Sequence, residues 1–233
     1  MIKEKNILII GGSSGIGLAL AEILSPINSV YIASRSSENL TNLKATHIPF
    51  DATTQNLDIS YLPDSIDGFV YCPGSINLRP FKGLSSEAFE KDFQINVLGA
   101  INSLKSILNN LSNSGNGSVV FFSTVAVQTG MPFHSSVASS KGAIEGLTRS
   151  LAAEFAPKIR VNAIAPSLVD TPLASKFLNN ESKLEKANER HPLGRIGSAK
   201  EIAQAAAFLL GPESSWMTGK VLQLDGGIGN LKT

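Results

Sequence analysis

A glycine-rich run near the start of the chain, Ile10-Gly-Gly-Ser-Ser-Gly-Ile-Gly17, carries its clearest chemical signal. Glycine adopts positive φ without strain and lets a ligand approach the backbone, because no Cβ stands in the way. Where such a run leads into a helix, the free N–H groups and the positive end of the helix dipole bind phosphate. The run therefore predicts phosphate binding, and the candidate residues are Gly11, Ser13, Ser14, Gly15, Ile16 and Gly17.

The segments on either side of this run must position it. Residues 6–10 form a short apolar run typical of a buried strand, and residues 18–24 are apolar with helical spacing. A glycine run alone would favour an ordinary turn between a strand and a helix. The strand before it and the helix after it favour a dinucleotide site.

The end of the second predicted strand bears on the choice of nucleotide. Residues 29–33 are β-branched and apolar, and Ser34 and Arg35 follow them. In dinucleotide folds an acidic residue at this strand end binds the ribose 2′-hydroxyl of NAD. Ser34 takes that position here, and the Arg35 guanidinium suits a 2′-phosphate. We predict NADP, with NAD as the alternative; a solvated arginine at a helix start would give the same sequence.

Composition and charge exclude several function classes. The formal net charge is +1 and no Lys/Arg cluster is present, which argues against a nucleic-acid surface or an anionic membrane patch. No apolar run approaches the length of a membrane span, and residues 1–5 lead directly into the first strand, which predicts no signal peptide. Cys72 is the only cysteine, so we expect no internal disulfide and a cytoplasmic location. No His, Cys or carboxylate spacing predicts a metal site.

Strand and helix patterns alternate along the whole chain. This alternation predicts a single α/β domain, with a Rossmann-type doubly wound parallel sheet of about seven strands. The polar segment 171–190 follows a strand and predicts a helical lid, with a surface helical hairpin as the alternative. The predicted strands are 6–10, 29–33, 46–50, 66–71, 118–122, 160–164 and 220–224, and the main later helices are 38–43, 86–112, 137–155 and 199–210.

Several motifs, in order, resemble the short-chain dehydrogenase/reductase family over nearly the whole chain. The glycine turn is similar to the family's TGxxxGIG, with Ile10 in place of Thr, and residues 141–154 match its central helix. Residues 160–166, 192–195 and 218–227 match its later segments. The resemblance implies an NAD(P)-dependent oxidoreductase acting on a small carbonyl or alcohol. It also implies a homo-oligomer, a dimer or tetramer, assembled through helices 87–111 and 138–155 and the C-terminal segment.

The same resemblance implies roles for individual residues. Asp51, with Ala52 beside it, matches the aspartate that touches adenine, and Gly74 ends the family's loop after the fourth strand. Pro166 and Thr171 match the segment beside the nicotinamide, where Thr171 would bond the carboxamide. The catalytic set Asn-Ser-Tyr-Lys is expected at Asn96, Thr124, position 137 and Lys141, with Lys141 also holding the nicotinamide ribose.

Position 137 departs from the family pattern. The family's active-site tyrosine lies four residues before the lysine and thirteen after the serine, and both counts give Val137. Valine can neither donate nor accept a proton. Two smaller departures are Ser167, where a glycine usually follows Pro166, and Tyr71-Cys-Pro-Gly74 in place of NNAG.

The sequence offers three candidate replacements for the missing proton donor: His134, Lys141 and Tyr71, which ends the fourth strand near the cofactor. His134 shares a helical face with Val137 and Lys141 if the helix extends back that far, although a surface or capping histidine fits equally. Lys141 would serve if burial lowers its pKa. Tyr71 is expected to pack against the sheet, and Ser135 and Ser136 to cap the helix.

Val137 also opens two other classes of function. A catalytically impaired nucleotide-binding protein, acting as a sensor or scaffold, is the main alternative to an oxidoreductase. A non-redox lyase or isomerase that uses the same pocket is the third hypothesis.

Overall fold

A seven-stranded parallel sheet forms the centre of the computed structural model, which describes residues 2–232. Its strand order is β3-β2-β1-β4-β5-β6-β9, and β7 and β8 form a separate two-residue pair. This is the predicted doubly wound α/β fold. The strands are β1 (Asn6–Ile10), β2 (Ser29–Ser34), β3 (Ala45–Pro49), β4 (Gly68–Tyr71), β5 (Gly117–Phe122), β6 (Ile159–Pro166), β7 (Val169–Asp170), β8 (Gly197–Ser198) and β9 (Val221–Leu224).

Helices cover both faces of this sheet, which explains why its central strands β1, β4 and β5 are largely apolar. Along β1, Ile7 and Ile9 enter one core with α1 and α8, whereas Leu8 and Ile10 enter the opposite core. The helices are α1 (Gly15–Leu24), α2 (Ser86–Phe93), α3 (Gly99–Ser106), α4 (Leu108–Asn113), α5 (Ser135–Phe155), α6 (Ser175–Leu178), α7 (Glu181–Glu189) and α8 (Ala199–Leu210).

The long helix predicted over 86–112 is interrupted twice, so that prediction is wrong in detail. A π-helical turn at Gln94–Leu98 separates α2 from α3, and Ile107 leaves helical geometry between α3 and α4. The buried Tyr71 hydroxyl donates to the Ile95 carbonyl at 2.6 Å, inside the π turn. A Cβ on Gly99 would collide with that hydroxyl. The Tyr71 hydroxyl therefore occupies the space beside the π turn that a side chain at position 99 would need.

Two further predictions on local structure need correction. The helix expected over 38–43 is a single 3₁₀ turn, Glu38–Leu40. The helix expected to begin at Val137 begins at Ser135, and His134 takes its N-cap position. Ser135 and Ser136 are accordingly the first two helical residues and not its caps.

The polar segment 171–190 is helical as predicted and lies beyond the end of β6. It consists of a 3₁₀ turn, Pro172–Ala174, followed by α6 and α7. Lys176 Nζ donates to the Ile76 carbonyl at 2.8 Å, which ties this segment to the loop after β4. Across residues 2–232, no helix combines the length and apolar character needed to cross a bilayer.

Candidate active site

The glycine turn adopts the backbone geometry that only glycine accommodates readily. Gly11 and Gly15 have φ of +77° and +54°. A Cβ on Gly17 would collide with the Gly11 carbonyl oxygen. Ser14 takes the N-cap position of α1 without a side-chain cap, so its hydroxyl leaves the first N–H groups of the helix unoccupied. The turn therefore presents backbone donors at a helix start, as a phosphate site requires.

The two residues at the end of β2 that bear on the preference for NADP or NAD lie in different environments. Ser34 is buried, and its hydroxyl donates to the Ser36 carbonyl at 2.8 Å. His47 Nε2 lies 3.1 Å from the same hydroxyl. Arg35 is exposed. Only Arg35 of this pair has a side chain free to reach a ligand outside the sheet.

Asp51 is held at the end of β3 by its own turn. Its Oδ1 accepts hydrogen bonds from Thr53 Oγ1 at 2.6 Å and from Thr53 N at 2.9 Å. These bonds lower the pKa of the carboxyl below its ordinary value, and Arg35 adds a smaller effect in the same direction. Ala52 follows, half-buried, and its carbonyl faces the Gly99 position. The carboxylate is therefore ionised and fixed beside Arg35.

A cavity of about 480 Å³ opens at the carboxyl ends of β4, β5 and β6, under the segment 171–190. This volume is in the range of small-molecule sites. The cavity brings together several predicted site residues that are far apart in sequence. Those in its wall are Ile16, Gly74, Thr124, His134, Lys141, Pro166 and Thr171, together with Val137. Ser34, Arg35, Asp51 and Ala52 lie outside it, along the edge where the adenine half of a dinucleotide would extend.

Lys141 is the buried cation of this cavity. Its side chain is 7% exposed, and Nζ donates to the Phe122 carbonyl at 2.8 Å. Burial lowers its pKa to about 8, and the carboxylate of Asp92 partly opposes that effect. An ammonium has three donors, and this carbonyl accepts one of them. Lys141 therefore combines spare hydrogen-bonding capacity with titration close to neutral pH.

Asn96 lies in the π turn and, like Lys141, comes close to Gly74. Its Nδ2 donates to the Asp92 carbonyl at 2.8 Å and to Ser75 Oγ at 2.9 Å. Its buried Oδ1 has no hydrogen-bond partner within residues 2–232. A Cβ on Gly74 would lie 3.1 Å from this Oδ1 and 3.4 Å from Lys141 Nζ. The bare backbone at Gly74 thus allows the amide and the ammonium to approach one another.

Thr124 presents a hydroxyl to the cavity directly after β5. It is the N-cap of a 3₁₀ turn, Val125–Val127, and its Oγ1 accepts a hydrogen bond from Ala126 N at 3.3 Å. Because the oxygen accepts this bond, the hydroxyl proton remains free to donate to a ligand. Thr124 can therefore polarise a carbonyl group.

Val137 and His134 lie in the same cavity wall as Lys141, on the first turns of α5. Val137 is 6% exposed and offers only aliphatic surface. His134 Nδ1 lies 2.7 Å from the Pro132 carbonyl, so this nitrogen carries a proton. Nε2 is then the nitrogen available to a ligand. Tyr71 packs inside the fold as expected, and burial raises the pKa of its hydroxyl well above the ordinary value.

Two cavity residues in contact escaped the sequence interpretation. Buried His191 places Nδ1 2.7 Å from the Ala187 carbonyl and Nε2 2.9 Å from Ser167 Oγ. The sequence singled out Ser167 only as a departure from the family pattern. His191 is 24 residues away and gave no periodic or spacing signal. Their pairing depends on the tertiary fold.

Comparison with known proteins supports the same assignment. The family model described as "Enoyl-(Acyl carrier protein) reductase" matches residues 13–229. The chain is 34% identical to the short-chain dehydrogenase/reductase aba4 of Botryotinia fuckeliana, covering 96% of each protein. It is 32% identical to the 3-oxoacyl-[acyl-carrier-protein] reductase FabG of Thermotoga maritima, covering 97% of this chain and 98% of that one.

A solved structure, ElxO with NADP bound, has a TM-score of 0.87 and 28% sequence identity. The alignment covers 97% of this chain and 99% of that one. The similarity therefore extends over the entire sheet and both helical layers. The chain belongs to the short-chain dehydrogenase/reductase family of oxidoreductases.

Proposed function

We propose that this protein is an NADP-dependent oxidoreductase that reduces a small carbonyl compound, or oxidises the corresponding alcohol, with an atypical proton donor. The observation that carries the proposal is the buried Lys141 ammonium in one cavity wall with the Thr124 hydroxyl. This cavity reaches Ile16 of the glycine turn and Thr171 beside it. A direct test is the loss of NADPH absorbance during incubation with a panel of aldehydes and ketones.

The residues present fit a pyridine nucleotide. The Gly11–Gly17 turn would hold the pyrophosphate, Arg35 the 2′-phosphate and Lys141 the nicotinamide ribose. Gly15 lies against Thr171, because a Cβ there would be 3.4 Å from the Thr171 Cβ. This contact puts the phosphate turn and the candidate nicotinamide segment side by side.

We assign the two halves of the proton chemistry to Thr124 and Lys141. A bound nicotinamide nucleotide supplies or accepts the hydride. The Thr124 hydroxyl donates to the carbonyl oxygen as negative charge builds on it. The Lys141 ammonium, held by its hydrogen bond to the Phe122 carbonyl, then gives a proton to that oxygen. In alcohol oxidation the neutral Lys141 amine takes the proton instead.

We choose Lys141 over His134, the other candidate, as the donor, because the Lys141 side chain is buried in the cavity whereas His134 is the half-buried N-cap residue of α5. We expect His134→Gln to keep kcat within about threefold, far from the roughly 10²–10⁴-fold loss that removal of a general acid produces. Steady-state reduction of the best aldehyde by both proteins measures this. A loss of a hundredfold or more would transfer the donor role to His134.

Arg35 provides the test of nucleotide preference. Its guanidinium is exposed directly after β2, where the sequence predicts the partner of a 2′-phosphate. We expect Arg35→Gln to weaken NADPH binding by about 10- to 100-fold, as the loss of charge-assisted hydrogen bonds does, and to leave NADH binding unchanged. Titration of each nucleotide by calorimetry checks this. Equal losses for NADPH and NADH would show that Arg35 does not read the 2′-phosphate.

A specific observation favours the second candidate, a nucleotide-binding protein without turnover. Val137, the residue that sequence spacing matches to the family's tyrosine, is buried in the cavity wall and offers no group that transfers a proton. Tight NADPH binding without turnover of any carbonyl compound would support that role.

We also propose self-association and a cytoplasmic location. Phe93 and Leu98 are exposed on α2 and the π turn, next to Ser136 and Ser139 of α5 in one shallow groove. This apolar surface suits a contact between copies of the chain, and light scattering measures the mass of the assembly.

Burial raises the pKa of the Cys72 thiol to about 12, so it stays protonated and inert in a reducing compartment.

A further inference from the structure

The charges in the wall of the cavity are all of one sign. Five of the chain's 20 Lys and Arg residues line it, whereas none of its 19 Asp and Glu residues does so within the described part. The chain as a whole carries a net charge of only +1. The cavity therefore concentrates positive charge that the overall composition does not show. The five residues are Lys141, Lys176, Lys183, Lys186 and Arg190.

Helix α7 separates its charged residues by face. Lys183, Lys186 and Arg190 follow the spacing i, i+3, i+7, which keeps them within about 100° of one another on an α-helix. All three line the cavity, together with the buried Ala187. The glutamates of this helix lie outside the cavity lining; Glu181 and Glu185 fall on its opposite side, and Glu189 lies at the flank of the basic face.

Two of these cations have no hydrogen-bond or ion-pair partner in the part of the chain that the structure describes. Lys176 donates to the Ile76 carbonyl, and Lys183 donates to Asn179 Oδ1 at 2.8 Å. Both ammonium groups are therefore engaged in hydrogen bonds that hold the segment 171–190. Lys186 and Arg190 make no side-chain hydrogen bond or ion pair with any residue from 2 to 232. Their charged ends are therefore available to a ligand at the mouth of the cavity.

The remainder of the wall near the lid is apolar, from Ile76, Leu78, Met131, Leu173 and Phe177. A ligand with an anionic group at one end and an apolar remainder would match both the cations and the apolar wall. We propose that Lys186 and Arg190 bind an oxyanion, a carboxylate or a phosphate ester, on the carbonyl substrate. This inference rests on the proposed function, whose cavity it uses, and it names the class of substrate that the cavity accepts.

Matched aldehydes test the inference. We expect KM for 4-formylbenzoate to lie at least about tenfold below that for its neutral methyl ester, since one charge-assisted hydrogen bond gives a factor of this size. In the double variant Lys186→Gln/Arg190→Gln this difference should disappear through a rise in KM for the anion, with kcat and the ester unchanged. High salt should reduce the preference in the parent. 4-Formylphenyl phosphate and 4-methoxybenzaldehyde form the second pair and distinguish a phosphate from a carboxylate.

Two control variants separate a local effect from a general change of charge. Lys200→Gln removes an exposed cation of α8 outside the cavity, and Glu185→Gln changes the opposite face of α7. Both should keep the preference for the anion. Equal KM values for acid and ester in the parent would overturn the inference while leaving the reductase activity standing. A weaker affinity for NADPH in the double variant would overturn it too, because the cations would then hold the nucleotide.

A binding measurement keeps the inference testable if the protein does not turn over. Calorimetry of 4-formylbenzoate and its ester with the protein saturated by NADP needs no reaction. Selective binding of the acid that the double variant loses would support the oxyanion site, even if turnover failed and the oxidoreductase proposal with it. Equal or absent binding of both compounds would contradict the site.

Discussion

Replacing Val137 by tyrosine is expected to raise kcat for carbonyl reduction by about tenfold, less than the roughly 10²–10⁴-fold contribution of a first general acid, because Lys141 already supplies the proton in the parent. The new phenol would lie one helical turn before Lys141, on the same face of α5 and in the same cavity wall. The Lys141 ammonium would favour the phenolate and so lower the pKa of the phenol toward neutrality. The cavity of about 480 Å³ has room for the added ring. Steady-state oxidation of NADPH with the best aldehyde measures the gain.

Val137→Phe is the matched control, because it adds the same ring without the hydroxyl. We expect no gain in kcat from this variant, and thermal unfolding of both variants shows whether the larger side chains are accommodated. Equal rates for the tyrosine and phenylalanine variants would mean that position 137 does not face the reacting carbonyl. The assignment of Val137 to the site of the missing tyrosine would then be wrong.

Loss of Lys141 should have a larger effect in the opposite direction. Lys141→Met keeps the length of the buried side chain and removes the ammonium, so we expect kcat for reduction to fall by about 10²–10⁴-fold. Reduction needs the protonated amine, which is populated below its pKa of about 8. The parent should therefore show constant kcat/KM at lower pH and a decline above pH 8, about tenfold for each further unit. Alcohol oxidation needs the neutral amine and should rise over the same range.

The pH profile separates proton donation by Lys141 from a purely structural role. Lys141→Arg keeps a positive charge whose guanidinium does not titrate in this range, so the decline near pH 8 should disappear in this variant. His134→Gln should retain it. If Lys141→Met kept the parent's decline near pH 8, another group would be the donor, whatever the size of the loss in kcat.

The fold class, a doubly wound parallel sheet, follows from features that are local in sequence. Each strand of the sheet is a short apolar run, and the glycine turn after β1 marks the first βα unit. Parallel strands require crossover helices, so this alternation is sufficient to predict the fold. The two breaks in the helix predicted over 86–112 could not be predicted from the sequence. The Tyr71 hydroxyl, 24 residues from Ile95, inserts at the π turn, and no periodicity in the helix itself shows that contact.

The grouping of residues in the cavity could be predicted within one motif, and it could not be predicted where distant segments meet. Thr124, Val137 and Lys141 were placed by spacing within one segment, and the structure puts them in one cavity wall. The pairing of His191 with Ser167 depends on the return of the chain after α7. The basic face of α7 could have been read from the spacing of residues 183, 186 and 190, but only the fold shows that this face borders the cavity.

The central claim is that this cavity binds a pyridine nucleotide although an aliphatic side chain stands where the family has its phenol. Calorimetric titration of the purified protein with NADPH, and separately with NADH, tests it most directly. The account predicts one saturable site per chain for NADPH and weaker binding of NADH. An absence of binding heat for both nucleotides, confirmed by unchanged thermal unfolding in their presence, would contradict it.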